Sequence, residues 1–338
     1  NNAWTNNDIT NYYLTVPKPN VETAFWLESD RMLELAFSEQ SLEVQRGVVM
    51  EEFKQRCLNQ PYGDVGHLLR PLAFRVHPYR WPTIGKELSH IEQATLDEVK
   101  SFFYRFYAPN NAVLAVTGNI SWDETVRLTE KWFAAIPRRD VPVRRLPQEP
   151  EQTQERRLTV ERNVPLDALF MGYHMCSRES ADYYAFDILS DILSNGRSSR
   201  LNRRLVQEQN IFSGIDAYIS GTRDAGLLQI SGKPAAGVSL EQAEAAVRKE
   251  LEELRQSPVG EQELEKVKNK FESTQIFGNI NYLNVATNLA WFELTGKAED
   301  IDLEVERYRS VTTEQLYTVA QRSFCENNTV VLYYKSDK

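Results

Sequence analysis

The chain has 338 residues, 39 of them Lys or Arg and 48 Asp or Glu, for a formal charge of −9 at neutral pH. That length is enough for two domains with real cores. An acidic balance with no basic cluster argues against a nucleic-acid partner, and no apolar run approaches the roughly eighteen residues that a membrane span needs.

The three cysteines, Cys57, Cys176 and Cys325, are odd in number and far apart. They suit a reducing compartment or core packing better than a disulfide framework or a thiolate zinc site. The opening Asn-Asn-Ala-Trp-Thr is neither a signal peptide nor an initiator sequence, and the chain reads as starting inside a larger unit.

In chain order, residues 9–16 are rich in Thr and Tyr, stop at Pro17 and read as a strand. Residues 21–37 read as a helix, and residues 41–56 as a second. On that second helix Gln45, Val48, Val49, Glu52 and Arg56 fall on one stripe. A carboxylate sharing a stripe with two valines is expected to be partly withdrawn from water, where it needs a cation, a donor or a proton. Spacing alone equally fits a surface glutamate at the edge of an amphipathic helix, paired with Arg56.

Residues 61–85 are punctuated by Pro61, Gly63, Pro71, Pro78, Pro82 and Gly85 and read as loop-rich. Thr95 and Glu98 form a capping box ahead of a helix that reaches about Tyr107. A Pro-Asn-Asn turn, a strand over 112–117 and an amphipathic helix over 122–134 follow. Residues 137–157 hold Pro142, Pro147 and Pro150 among Arg, Glu and Gln, and are the best linker candidate. Beyond it, 158–164, 168–174, 227–232 and 329–334 read as strands. Residues 181–193, 199–209, 241–256, 261–274, 282–294 and 313–324 read as helices.

Residues 94–116 align without gaps with residues 311–333, and both copies read capped helix, Asn-Asn turn, strand. Thr95/Thr312, Arg105/Arg322, Asn110/Asn327, Asn111/Asn328 and Val113/Val330 are identical, at an offset of 312 − 95 = 217. The matching order of elements points to duplication. If the second copy opens near Leu158, the first should open about sixty residues before Asn1, so the first domain is expected to lack its N-terminal part.

None of the four histidines, His67, His77, His90 and His174, is paired at metal-ligand spacing with another. No H-x-x-E-H, H-E-x-x-H, G-x-S-x-G or phosphate-binding loop occurs. His77 and His174 read as packing or surface residues, and the Gly196-Arg-Ser-Ser-Arg200 turn as a plain helix start that could also hold an anion.

Three stretches resemble the pitrilysin–insulysin zinc peptidases, the inverzincins. They are Asn2-Ala-Trp-Thr, then Phe25-Trp-Leu-Glu-Ser-Asp-Arg-Met with Leu42-Glu-Val-Gln-Arg-Gly-Val-Val-Met-Glu-Glu-Phe53, and His77-Pro-Tyr with Tyr107-Ala-Pro-Asn-Asn-Ala. Leu193-Ser-Asn-Gly-Arg-Ser-Ser-Arg-Leu resembles the family's second domain, so the likeness covers nearly the whole chain.

The resemblance implies an α+β fold of two homologous domains, each a mainly antiparallel sheet with helices packed on one face. The division it implies is residues 1–137, a linker at 138–157, and a non-catalytic second domain at 158–338. It also implies a zinc-dependent metalloendopeptidase whose H-x-x-E-H motif supplies two ligands and the general base. Glu52 matches the third ligand, about seventy-five residues after that motif, which places the motif before Asn1. Gln45 matches a supporting position where the family often has Glu. Asn2, Ala3, Trp4 and Thr5 match a strand on which an extended peptide docks, although Trp4 alone also reads as a core aromatic.

The family's Arg and Tyr that hold substrate fall here on Val206 and Ser213. A homologous subunit, or a second copy, is therefore expected to supply that pair. With one residue of slip, Glu52 corresponds to Lys270, which cannot bind zinc while charged. On this reading the 338 residues alone are inactive and do not retain zinc. The competing reading is a non-catalytic family member, a structural or peptide-binding subunit.

Overall fold

The computed structural model describes residues 1–337. In chain order the strands and helices are β1 (Asn2–Thr5), β2 (Thr10–Tyr13), α1 (Val21–Leu33), α2 (Glu39–Phe53), α3 (Val65–Ala73), α4 (Leu88–Glu92), α5 (Leu96–Phe106) and α6 (Trp122–Phe133). Then come β3 (Arg156–Arg162), β4 (Ala168–His174), α7 (Tyr183–Ser194), β5 (Phe212–Ile219), β6 (Leu227–Pro234), α8 (Leu240–Gln256), α9 (Glu261–Gly278) and α10 (Tyr282–Thr295). The chain ends in α11 (Glu304–Ser310), α12 (Thr313–Ser323) and β7 (Thr329–Ser336). The class is α+β.

Two compact units form. One gathers residues 1–54, 83–145 and 275–303, and the other residues 55–82, 146–274 and the chain from 304 onward. Segment 55–82 thus groups with the second half of the chain, and segment 275–303 with the first.

The second unit is built on a five-stranded sheet in the order β3-β7-β4-β6-β5. Among the described residues, only the β3–β7 pair of this sheet is parallel. Side chains alternate across the sheet, as a period of two requires. Leu169, Met171 and Tyr173 of β4 join Ile215, Ile230 and Val331 in a core with the helices α7, α8, α9, α11 and α12. Ala168, Val330, Leu332 and Tyr334 point the other way and meet Leu69, Ala73 and Phe74, on and just after α3. Most helices therefore lie on one face, and α3 covers part of the other.

The first unit holds β1 and β2 as a two-stranded antiparallel sheet, with Asn2 opposite Tyr13 and Thr5 opposite Thr10. Asn6 closes the connection, its Oδ1 accepting from the N–H groups of Asp8 (2.8 Å) and Ile9 (2.9 Å). The helices begin where a side-chain oxygen can satisfy an orphan N–H. Ser38 caps α2 and Thr95 caps α5 with full capping boxes, and Ser121 caps α6.

Three sequence expectations are corrected. Residues 112–117 form no strand, because among the described residues no other strand pairs with them. Their repeat counterpart β7 lies between β3 and β4. Segment 61–85 holds α3 despite Pro71, because Leu69 and Ala73 are buried in the second core. Residues 212–219 form a strand, β5, where none was expected. The helix expected over 199–209 is present and winds as a π-helix over residues 202–208.

Candidate functional site

The expected site residues lie on α2 and β1. Helix α2 starts at Ser38, whose Oγ accepts from the Ser41 N–H at 3.1 Å while Ser41 Oγ accepts from the Ser38 N–H at 3.2 Å. In its middle, Arg46 Nη2 donates to the Ala94 carbonyl at 2.7 Å, and Arg46 pairs with Glu43. Phe53 is the one buried residue of α2. These contacts fix both the axis and the rotation of the helix.

Glu52 is half-buried beside Phe53, in the last turn. Gln45 is exposed, and Val48 is 55 % exposed. The stripe is thus not a buried face along its length; withdrawal from water is confined to its C-terminal end, at Val49 and Glu52. Immediately after, residues Lys54–Leu58 widen into a π-helical turn, an irregularity that is over-represented at functional sites.

Among the described residues no three His, Cys, Asp or Glu side chains converge as a metal would require. Glu52 by itself does not fit a zinc centre, which takes four ligands, most of them from protein.

All four residues of β1 are exposed. Trp4 is 39 % exposed and is not a core aromatic. One edge of β1 is paired with β2, and among the described residues no strand lies on the other. The Ala3 N–H donates to Asn2 Oδ1 at 2.8 Å, so a short polar side chain stands where a neighbouring strand's carbonyl would accept. Behind the hairpin, Tyr12 and Tyr107 join hydroxyl to hydroxyl at 2.6 Å, with the Arg31 guanidinium 4.5 Å from the Tyr12 ring centre. Burial, and then the bond to Tyr12, push the Tyr107 hydroxyl far above its ordinary pKa, so it stays protonated. The hairpin is anchored by the tyrosine pair and by the Arg31 cation on the Tyr12 ring.

In the second unit Val206 is half-buried in the π-helical segment, and Ser213 lies exposed on β5, its Oγ donating to the Lys233 carbonyl at 3.1 Å. Neither offers a cation or a phenol to a substrate. Lys270 is exposed on α9.

Sequence reasoning passed over one constellation. His77 is 4 % exposed. Its Nε2 lies 2.9 Å from Asp224 Oδ2, and its Nδ1 accepts from the Tyr79 N–H at 3.2 Å. The Glu149 carboxylate accepts from three successive N–H groups, those of Arg75, Val76 and His77. Burial acts to raise the Glu149 carboxyl, but the three donors outweigh it and hold the group below its ordinary range. Nearby, His174 is depressed by burial and then by Arg156. The His-Pro dipeptide signals a constrained loop; nothing local signals that its partners lie 72 and 147 residues away. The arrangement is a latch that ties the segment after α3 to the linker and to the β5–β6 turn.

A family model described as "Peptidase M16 inactive domain" matches residues 93–271. The chain is 25 % identical over 337 residues to the zinc protease PqqE of Helicobacter pylori, covering 99 % of this chain and 76 % of that protein. It is 24 % identical over 337 residues to the uncharacterized zinc protease YmxG of Bacillus subtilis, covering 98 % and 80 %. Among solved structures, a protease from Helicobacter pylori superposes with a TM-score of 0.91 at 25 % identity, covering 99 % of this chain and 81 % of that one. A peptidase M16 inactive domain from Pseudomonas fluorescens superposes with a TM-score of 0.82 at 18 % identity, covering 94 % and 75 %, a likeness of fold.

Proposed function

Because this chain belongs to the M16 peptidase family, the pitrilysin-type, insulinase-like zinc proteases, we propose that it is the greater part of a zinc metalloendopeptidase subunit in which Glu52 is one metal ligand. The remaining donors, the H-x-x-E-H pair of imidazoles and the general base, are supplied by residues outside these 338. Zinc bound there would supply a metal-activated water for peptide hydrolysis. This chain's own residues do the rest: Glu52 offers a carboxylate from a rigid helix, Gln45 stands one face-repeat earlier, and β1 presents an unpaired edge to an extended peptide.

The observation that supports this reading most is the inequality of the two repeat copies. Both keep the capped helix and the Asn-Asn turn. The second copy delivers its strand into a five-stranded sheet, whereas the first delivers residues 112–117 to no partner among the described residues. The first unit also leaves Leu114 and Val48 exposed. An exposed apolar segment and helix face of this kind suit a further packed layer.

A homologous subunit or a second copy, facing the catalytic half, would provide the Arg and Tyr that Val206 and Ser213 do not. The substrates are short or unfolded polypeptides. As an isolated chain these residues should neither retain zinc nor cleave peptides.

The test is Glu52→Gln in the full-length protein. Zinc content by atomic absorption should fall from near one ion per chain to near zero, and cleavage of a fluorogenic peptide should fall at least a hundredfold, about 2.7 kcal/mol. Unchanged zinc content would end the ligand assignment.

The description of the matched family model favours a second reading, a non-catalytic subunit that binds peptide or supports a partner. In that case the wild-type full-length protein holds no zinc at all.

A further inference from the structure

We propose that Lys270 is a built-in cation: its ammonium holds, in the second copy of the repeat, the place that a metal-binding carboxylate and its ion hold in the first. The comparison rests on the reading of Glu52 given above, whereas the chemistry lies wholly in the second unit. Subtracting the repeat offset gives 270 − 217 = 53, one residue of slip from Glu52.

Lys270 projects from α9 onto the C-terminal end of α7. Its Nζ donates to the Asn195 main-chain carbonyl at 3.2 Å and also to the Asn195 side-chain carbonyl. Asn195 Nδ2 in turn donates to Asp191 Oδ1 at 2.8 Å. Asp191 and Asn195 are four residues apart, so their oxygens come off one side of the helix. The carbonyl at the helix terminus adds the negative end of the α7 dipole.

Gly196 completes the cradle. It has a φ of +102°, and a side chain there would start 3.8 Å from Lys270 Nζ. One cation thus faces a main-chain carbonyl, an amide carbonyl and, one hydrogen bond away, a carboxylate. These are hard oxygen donors of the kind that hold Mn²⁺ or Ca²⁺.

The charges around this cluster are satisfied separately. Arg200 pairs with Glu263 at 2.7 Å, and Lys266 Nζ lies 3.3 Å from Ser198 Oγ. Burial holds the Asp191 carboxyl above its ordinary range, opposed first by the Asn195 hydrogen bond and then by the Lys270 charge. The ammonium is therefore the cation available to Asp191, and it excludes a second one by occupying the position and by its charge.

The consequence is a second half that cannot be loaded with metal, and that uses a tethered cation to pin α9 to α7. A glutamate at 270 ends about one bond short of the lysine nitrogen. A metal about 2.1–2.5 Å from its oxygen would then lie near the present ammonium position.

The experiment is thermal unfolding of the full chain with EDTA or with millimolar Mn²⁺. In EDTA, Lys270→Met and Lys270→Glu should melt about 2–4 °C below wild type, Lys270→Glu the lower of the two. Mn²⁺ should restore Lys270→Glu to within a degree or so of wild type, and should leave Lys270→Met and wild type unmoved. Adding Asp191→Asn to Lys270→Glu should abolish the Mn²⁺ response.

The proposal is overturned if Mn²⁺ leaves Lys270→Glu where EDTA left it, including the case in which that variant stays unfolded in both. It is also overturned if Lys270→Met melts with wild type. Neither result touches Glu52, whose readout is zinc content in the full-length protein.

Discussion

Asn111 and Asn328 make the same hydrogen bond at positions 217 residues apart. The Asn111 side-chain amide donates to the Phe106 carbonyl at 2.8 Å, and the Asn328 amide donates to the Ser323 carbonyl at 2.8 Å. Each closes the C-terminal end of a helix that opens on a threonine capping box, at Thr95 and at Thr312. The duplication is therefore preserved as a bonding pattern as well as a run of letters.

The two asparagines differ in load. Asn328 also donates to the His174 carbonyl at 3.0 Å, tying the turn to β4. Asn111 is exposed, and its neighbour Asn110 takes the longer-range contact, to the Arg139 carbonyl at 2.9 Å. Replacing Asn111 by Ala should cost about 1 kcal/mol, the net worth of one hydrogen bond, and replacing Asn328 by Ala about twice that. Urea unfolding followed by tryptophan fluorescence reads both. Equal losses would contradict the assignment of a second bond to Asn328.

Acid sensitivity should trace to the latch around His77. His174 has a folded pKa below its ordinary 6.5, through burial first and then the Arg156 charge. The unfolded chain therefore binds a proton that the folded chain refuses. The stability contributed by neutral His174 is present above pH 6.5 and is lost as pH falls below that value. Glu149 is likewise held below its ordinary 4.5, its three N–H donors outweighing burial. Its contribution is present above that value and is lost as pH falls through the carboxylate range.

His174→Phe should flatten the decline of the urea midpoint between pH 7 and about 5. Glu149→Gln should lower the midpoint at neutral pH and flatten the decline below about 4.5. A His174 variant that keeps the wild-type slope would show that the upper limb belongs to another group.

Much of the fold was legible because local and tertiary preferences agree. Ala168–His174 reads as a strand from its apolar run and is one, buried on both faces. Thr95 and Thr312 announce helices that begin where they stand.

Other elements were decided by packing. In α3 Pro71 and Gly66 argue against a helix, but Leu69 and Ala73 find a sheet face to cover. In β5 Ser213, Gly214 and Asp216 have weak strand propensity, and they are tolerated because β5 is an edge strand with an irregularity between Phe212 and Gly214. Residues 112–117 show the converse, a good strand sequence that pairs with nothing among the described residues. The position of Glu52 on a helix was visible in the spacing. Its ligand role came from resemblance, because one carboxylate carries no geometry of its own.

If β1 is where substrate docks, its outward donor is the Ala3 N–H, now satisfied by Asn2 Oδ1. A peptide adding to this edge would take over that donor with its own carbonyl. Ala3→Pro removes the N–H and nothing from a side chain. Proline is tolerated on an edge strand when the lost donor faces away from the ladder. In the full-length protein Ala3→Pro should therefore raise KM for a peptide substrate about three- to tenfold, the worth of one hydrogen bond. The melting temperature should stay within a degree or two of wild type, and kcat should change little. Asn2→Ala should act in the opposite sense, because it frees the donor that the incoming peptide needs. A KM unchanged by Ala3→Pro, with the protein still folded, would remove β1 from the substrate path and leave the hairpin as a support for α1 and α5.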